Sequence, residues 1–364
     1  MFSPTSKITT AQATIIIINY MLAAGVLTLP RTVTEQTQSP DGWISVLLGG
    51  VLAVIAGMMI VKLSQQYPKE TFYEYSRHIV GKWLGHLISI VFITYFLALG
   101  AFEVRVMSEI VDFFLLEGTP SWAIIMTVLW IGLYSITQGL DPIARLFEMI
   151  FPITVIIFLT IALMSLGIFE INNLRPVLGD GIMPVLRGVK TTNLLFTCSE
   201  IMFILVAFMK KPKNAVKAVV IGTGVVTSFY MITMIMVIGA LSVEGVVTRT
   251  WPGLDLMRSF EIPGLIFERF ESFLLVIWIM QLFATFIITF YAASLGASQV
   301  FKKKPLSCMF GLLPVIYILS CMLPKNENDV FILGDTVSHI ALYIFGALPI
   351  LLLVISKWRK RGEK

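Results

Sequence analysis

The sequence predicts an all-α membrane protein of ten transmembrane helices, folded as one domain in two five-span halves of opposite sense, with the first and sixth helices broken. Three observations predict it. Of the 364 residues 57% are hydrophobic and only 13% charged, against about 25% charge in soluble domains, and apolar runs near the ~20 residues that cross a bilayer recur throughout the chain. Basic residues gather in alternate loops. Helix-breaking residues interrupt the first and sixth apolar runs at corresponding depths.

The first span, Ala11–Pro30, ends in Ala23-Ala24-Gly25-Val26-Leu27-Thr28-Leu29-Pro30. Gly25 has no Cβ and tolerates unwound backbone, while Pro30 donates no amide, so the helix is expected to open at Gly25 and stop at Pro30. Backbone opened in lipid must be buried in protein or face a cavity. A ligand held near the midplane is one reason to accept that cost; close packing at the glycine is the other. Spans two to five are Trp43–Leu63, Leu84–Val106, Ser121–Gln138 and Leu146–Ile168. The sixth, Gly181–Met209, is too polar for lipid and too long for one straight crossing, and Thr197, Cys198 and Ser199 interrupt it. Spans seven to ten are Ala215–Leu241, Phe273–Phe301, Leu306–Leu323 and Val337–Trp358. Five spans separate the two breaks, and an odd number inverts the second half, giving repeats of about 8–170 and 178–358.

Lys62, Lys69, Arg77, Lys82 and Arg145, the cluster Lys210, Lys211, Lys213 and Lys217, the run Lys302–Lys304 and the Lys/Arg tail after Lys357 fall in loops of one side. Glu103, Glu109, Asp112, Glu117, Glu244 and Asp255 fall in the others. Basic loops are retained inside, which places both termini in the cytoplasm. The net charge of +5 is therefore topological and implies no nucleic-acid partner. Trp43, Trp83, Trp122 and Trp358 sit near span ends, where indole rings prefer the interface. Trp251, Pro252, Leu254, Met257 and Phe260 outline a short amphipathic helix on the outer surface.

Enzymatic chemistry is not expected, because His, Cys and carboxylate residues show no ligand spacing and no nucleophile motif occurs. Cys198, Cys308 and Cys321 form no paired pattern, and His78, His86 and His339 are scattered, so no metal or cofactor is expected. The chemistry lies in the spans. Glu200 is the carboxylate placed deep in the membrane, a site candidate or a structural acid bonded to the neighbouring unwound backbone. Spans three and eight flank the broken pair, with Tyr95, Leu99 and Gly100 at the middle of one and Thr285, Thr289 and Tyr291 at the middle of the other. Hydroxyls beside apolar walls suit a small polar ligand with an apolar side chain. The candidate ligand-binding residues are thus Ala24, Gly25, Tyr95, Leu99, Phe196, Thr197, Ser199, Glu200, Thr285, Thr289 and Tyr291.

The run Gly25-Val26-Leu27-Thr28-Leu29-Pro30-Arg31 resembles the first-helix signature of permeases of the amino acid–polyamine–organocation (APC) superfamily. More closely, the chain resembles the endospore germination permeases, the B subunits of spore nutrient germinant receptors. Arg31 after Pro30, Arg105 with Ser108-Glu109-Ile110, Gly118-Thr119-Pro120, and Glu200 followed by Lys210-Lys211-Pro212-Lys213 carry the resemblance over essentially the whole chain. Such proteins often show Gly-Phe-Glu where this chain has Cys198-Ser199-Glu200, which leaves the ligand open. The resemblance implies a LeuT/APC-type inverted-repeat fold, residence in the spore inner membrane, assembly with a membrane-anchored A subunit and a lipoprotein C subunit, and a nutrient ligand such as an amino acid whose binding starts germination. The competing reading is a secondary amino-acid transporter coupled to H⁺ or Na⁺. Sodium-coupled relatives place adjacent hydroxyls where span eight has Tyr291-Ala292-Ala293-Ser294, and some proton-coupled relatives carry a span-five lysine that Leu146–Ile168 lacks.

Overall fold

The computed structural model describes residues 7–23, 25–196, 199–258, 271–322 and 327–362. Two helices make the first passage. Helix α1, Thr10–Leu22, starts at a reciprocal cap in which the Thr9 and Gln12 side chains each accept the other's backbone amide. Helix α2, Gly25–Thr37, follows the break and runs through Pro30 instead of stopping there. Proline forfeits the bond to the carbonyl four residues earlier and crowds that carbonyl, a cost confined here to the first turn of a helix beginning at Gly25. The expected end at Pro30 is therefore corrected to Thr37, beyond an Arg31–Glu35 ion pair at 2.7 Å.

Helix α3, Gly42–Ser64, is followed by a short amphipathic helix α4, Phe72–Val80, and by α5, Lys82–Phe114. Helix α5 outruns the expected span by two turns, because Arg105 pairs with Glu109 at 3.0 Å and Ser108 bonds back to the Arg105 carbonyl. Glu103, assigned above to an outer loop, is instead inside this helix and 3% exposed. Glu200 is thus not the one carboxylate deep in the structure. Helices α6, Ser121–Thr137, and α7, Leu140–Ser165, complete the first five passages.

The sixth passage is broken as expected into α8, Met183–Leu195, and a 3₁₀ turn at Ser199–Ile201 leading into α9, Met202–Phe208. Helix α10, Ala215–Val247, deviates at Ser242 (φ 58°), one residue beyond the expected end of span seven. Helix α11, Pro252–Arg258, is the short helix expected there, but Leu254 and Leu256 are buried, so it packs on its neighbours instead of lying on the surface. Met257 lies within it and Phe260 lies outside the described residues. Helix α12, Glu271–Phe301, is span eight, and α13, Pro305–Tyr317, continues into a π-helical turn at Ile318–Met322. The last passage begins at Glu327, ten residues before the expected Val337, as α14, Glu327–Leu342, and ends in α15, Leu348–Gly362, beyond a second π turn.

Six of the described helices are long and apolar enough to cross a membrane, and α1, α6 and the Ser199–Phe208 stretch are shorter apolar helices. The chain is an integral membrane protein. Trp83, 93% exposed, and the exposed Trp122 and Trp358 sit at helix ends as interfacial anchors. Helices α1, α4, α5, α7, α9, α10 and α12 bury the largest side chains of the core, and an aromatic cluster of Phe72, Phe92 and Phe203 joins α4, α5 and α9.

Candidate ligand-binding site

The last four carbonyls of a helix have no partner within it, and α1 ends in the middle of the protein. Two of those carbonyls are capped from other helices. The Met21 carbonyl accepts a hydrogen bond of 2.5 Å from the Tyr230 hydroxyl of α10, and the Tyr20 carbonyl accepts one of 3.3 Å from the Thr285 hydroxyl of α12. Gly25 opens the second half-helix directly against Tyr230, and a Cβ at Gly25 would overlap that hydroxyl.

The other break supplies the carboxyl group. Glu200 is fully buried, and one of its oxygens, Oε1, accepts from the Tyr20 hydroxyl of α1 and from the Tyr95 hydroxyl of α5 at 3.0 Å. Its second oxygen and the neighbouring Ser199 hydroxyl are buried with no hydrogen-bond partner among the described residues. Ser199 sits against Gly57 of α3, where a Cβ would come within 3.1 Å of its hydroxyl oxygen. Phe196, on the far side of the same break, packs its ring on Tyr230 with centroids 5.3 Å apart.

The sequence-derived set is thus brought together in part. Gly25, Tyr95, Phe196, Ser199, Glu200 and Thr285 converge through Tyr20 and Tyr230 on the two breaks. Leu99 shares the Tyr95 face of α5 by its four-residue spacing, and Gly100 beside it allows close approach to Thr289, whose hydroxyl would be 2.9 Å from a Cβ there. The Thr289 hydroxyl itself bonds back to the Thr285 and Phe286 carbonyls of its own helix. Tyr291 is buried two residues further along α12, so it does not share the face of Thr285 and Thr289. Ala24 and Thr197, with Cys198, lie outside the described residues.

Five residues of this region were not among the candidates. Tyr20 and Tyr230 hold the two breaks. Asn19, Gln281 and Thr154 form a buried bridge between α1, α12 and α7, with the Gln281 amide nitrogen donating to Asn19 Oδ1 at 3.0 Å and to Thr154 Oγ1 at 2.8 Å. The signal was present: Asn19 and Gln281 are amides inside apolar spans, where a polar side chain needs a partner or a function. A separate cavity of about 410 Å³, counting its open mouth, lies between α7, α10, α11 and α12. Phe158, Ile161, Ile232, Met236, Leu256 and Leu274 make its wall apolar, so it has little to offer a polar ligand.

Comparison with known proteins follows the same lines. A family model described as "Spore germination protein" matches residues 7–330. Spore germination protein YndE of Bacillus subtilis (strain 168) is 99% identical over all 364 residues of both chains. Spore germination proteins A2 and B2 of the same organism are 38% and 34% identical, over 98% of this chain and 97% and 96% of theirs. Among solved structures, MhsT in complex with L-phenylalanine superposes with a TM-score of 0.70 at 12% identity, covering 92% of this chain and 88% of the other. A Na⁺-coupled sialic acid symporter in a substrate-bound outward-open state gives 0.64 at 11% identity, covering 95% and 80%. At such identities the likeness concerns the fold, which is the LeuT type anticipated from the two broken helices.

Proposed function

Because the chain belongs to the spore germination protein family, we propose that it is the germinant-sensing membrane subunit of a spore nutrient receptor, taking a small nutrient, an amino acid, into the space between its two helix breaks. The observation that carries this reading is the pair of buried oxygens, Glu200 Oε2 and Ser199 Oγ, beside a break and without a hydrogen-bond partner among the described residues. A buried polar atom without a partner is costly, and a ligand ammonium group supplies the missing donors. The ligand carboxylate would then meet amides freed at Gly25, the N-terminus of α2, where the helix dipole favours negative charge. Its side chain would face Leu99, with Thr289 and Tyr291 further along α12. Ala24 and Thr197 complete the proposed contacts from the two breaks.

One feature favours sensing over cation-coupled transport. Carbonyls at the end of a broken half-helix are natural cation ligands, yet those of Tyr20 and Met21 already accept hydrogen bonds from Thr285 and Tyr230. The buried Glu200 keeps a proton-coupled transport cycle as the second reading. In the sensing reading the two halves, about 8–170 and 178–358, are inverted repeats, both termini are cytoplasmic, and the chain resides in the spore inner membrane with a receptor A subunit and a lipoprotein C subunit.

Ligand binding to the purified chain tests the proposal. A ligand at a hundred times its Kd raises stability by about 2.7 kcal/mol, so a panel of amino acids should contain at least one that raises the unfolding temperature in detergent. Glu200→Gln should remove that rise while the chain still accumulates. A panel without effect, or a Glu200→Gln chain that responds like the wild type, overturns the site. Flux of the stabilising amino acid in liposomes would convert the sensing reading into the transport one.

A further inference from the structure

Tyr230 is fully buried on α10 and touches both breaks. Its hydroxyl donates to the Met21 carbonyl at the end of α1. The same hydroxyl abuts Gly25 at the start of α2, with no room for a methyl group between them. Its ring lies on Phe196 at 5.3 Å with an interplanar angle of 58°, where α8 gives way to the second break. Next to it on α10, Phe229 stacks on Phe158 of α7 at 4.3 Å. One rigid ring therefore joins three half-helix ends and ties them to a packed pair of spans.

We propose that Tyr230 is the positioning residue through which the two breaks sense each other, so that occupancy at one is passed to the other and on to α10. The inference rests on the reading of this space as the nutrient site. A ligand group drawn to the amides at Gly25 changes the spacing between the α2 N-terminus and the Met21 carbonyl. The phenol is anchored to that carbonyl by its hydrogen bond and wedged against Gly25, so it must follow. Because the ring is stiff and the interior is close-packed, its displacement falls on Phe196. The breaks also touch directly through the Tyr20–Glu200 hydrogen bond, and the Tyr230 ring adds a second route on the α8 side of the second break.

Two measurements test this. In the first, amide hydrogen exchange is followed on the purified full-length chain without any nutrient, comparing wild type with Tyr230→Phe. This change keeps the ring and deletes the donor. Exchange should rise several-fold both in the segment 19–29 and in the segment 190–205. A rise confined to the first segment, or none, overturns the coupling. Because no nutrient is present, such a failure counts against Tyr230 alone, whereas a failure of ligand stabilisation counts against the nutrient reading. In the second, spores carrying the full receptor are scored for nutrient dose–response. Gly25→Ala should raise the half-maximal concentration at least about tenfold, because its methyl collides with the phenol oxygen. Adding Tyr230→Phe removes that oxygen but also the Met21 bond on which the coupling depends, so the double variant should be no worse than the worse single variant. Losses that simply add in the double variant overturn the proposal, since residues in one contact are expected to be non-additive.

Discussion

At Leu99, Gln281 and Glu103 the chain carries three different kinds of buried residue, and the first two each make a prediction. Leu99 is a wall residue on the Tyr95 face of α5. Leu99→Phe fills space beside the proposed ligand and should shift preference toward smaller amino acids. A methylene-sized mismatch is worth ~1–3 kcal/mol, or roughly ten- to two-hundred-fold, and a germination panel with an immunoblot for abundance measures it. An unchanged preference profile at normal abundance would place the pocket elsewhere. Gln281 is a bridge. Replacing it with leucine strands Asn19 Oδ1 and deprives Thr154 Oγ1 of its donor. A stranded buried acceptor costs about 1–3 kcal/mol, so thermal unfolding of the purified Gln281→Leu chain should begin at a clearly lower temperature. Glu103 has one carboxyl oxygen buried and unpartnered among the described residues. Its burial was not legible because a charged triplet of Glu103, Arg105 and Glu109 after an apolar run reads as a loop, while the i,i+4 pairing that extends the helix is a weak local effect.

Small residues set how closely the helices approach. Helix α3 lies against α8 because Gly49 meets Thr192 and Gly188 meets Ser45, and against α10 because Gly50 meets Thr227. The Ser45 hydroxyl donates to the Val185 carbonyl at 2.8 Å and the Thr192 hydroxyl to the Ser45 carbonyl at 3.1 Å, so the contact is hydrogen-bonded as well as close. Without a hydrophobic drive between helices in lipid, such packing is a main source of association. Gly188→Val should push α8 from α3 at a cost of about 1–3 kcal/mol for overpacking, visible as reduced accumulation and a lower unfolding temperature. Gly224, with nothing within 4 Å of its position, should accept the same change. Equal behaviour of the two variants would mean that α8 is not seated by this contact.

Across the whole molecule, tertiary hydrogen bonds sort the loops into two sets. Ile8 exchanges backbone bonds of 2.8 Å with Phe208 and Lys210, Gln65 bonds to the Pro212 carbonyl, and Ser356 bonds to Gln66. The N-terminal segment, the loop after α3, the basic loop after α9 and the last helix therefore share one side, and these are the loops that carry the lysines. On the opposite side, Asp41 accepts the Leu178 amide through both oxygens at 3.0 and 3.1 Å, and Asn173 donates to the Gly239 carbonyl. Charge retention predicts that the first side is cytoplasmic. An impermeant thiol reagent added from outside should modify Glu117→Cys and spare Lys213→Cys. Modification of Lys213→Cys with Glu117→Cys spared would reverse the orientation.

Composition, the spacing of apolar runs and the side on which lysines fall determined that this is a polytopic helical membrane protein with its first and sixth passages broken. Those signals are local and repeated, and lipid leaves an exposed backbone few alternatives to the helix. The boundaries at Pro30 and Val337 were misjudged, because a proline need not end a helix and the polar Glu327, Asn328, Asp329 and Asp335 at the start of α14 read as a loop. Glu200 was legible as the one acid of the broken sixth segment. Its holders were not: Tyr20 and Tyr95 reach it from 180 and 105 residues away in sequence. Tyr230 finds Met21 across 209 residues. Which hydroxyl caps which carbonyl depends on how helices from the two halves cross, and that relation exists only once the chain has packed.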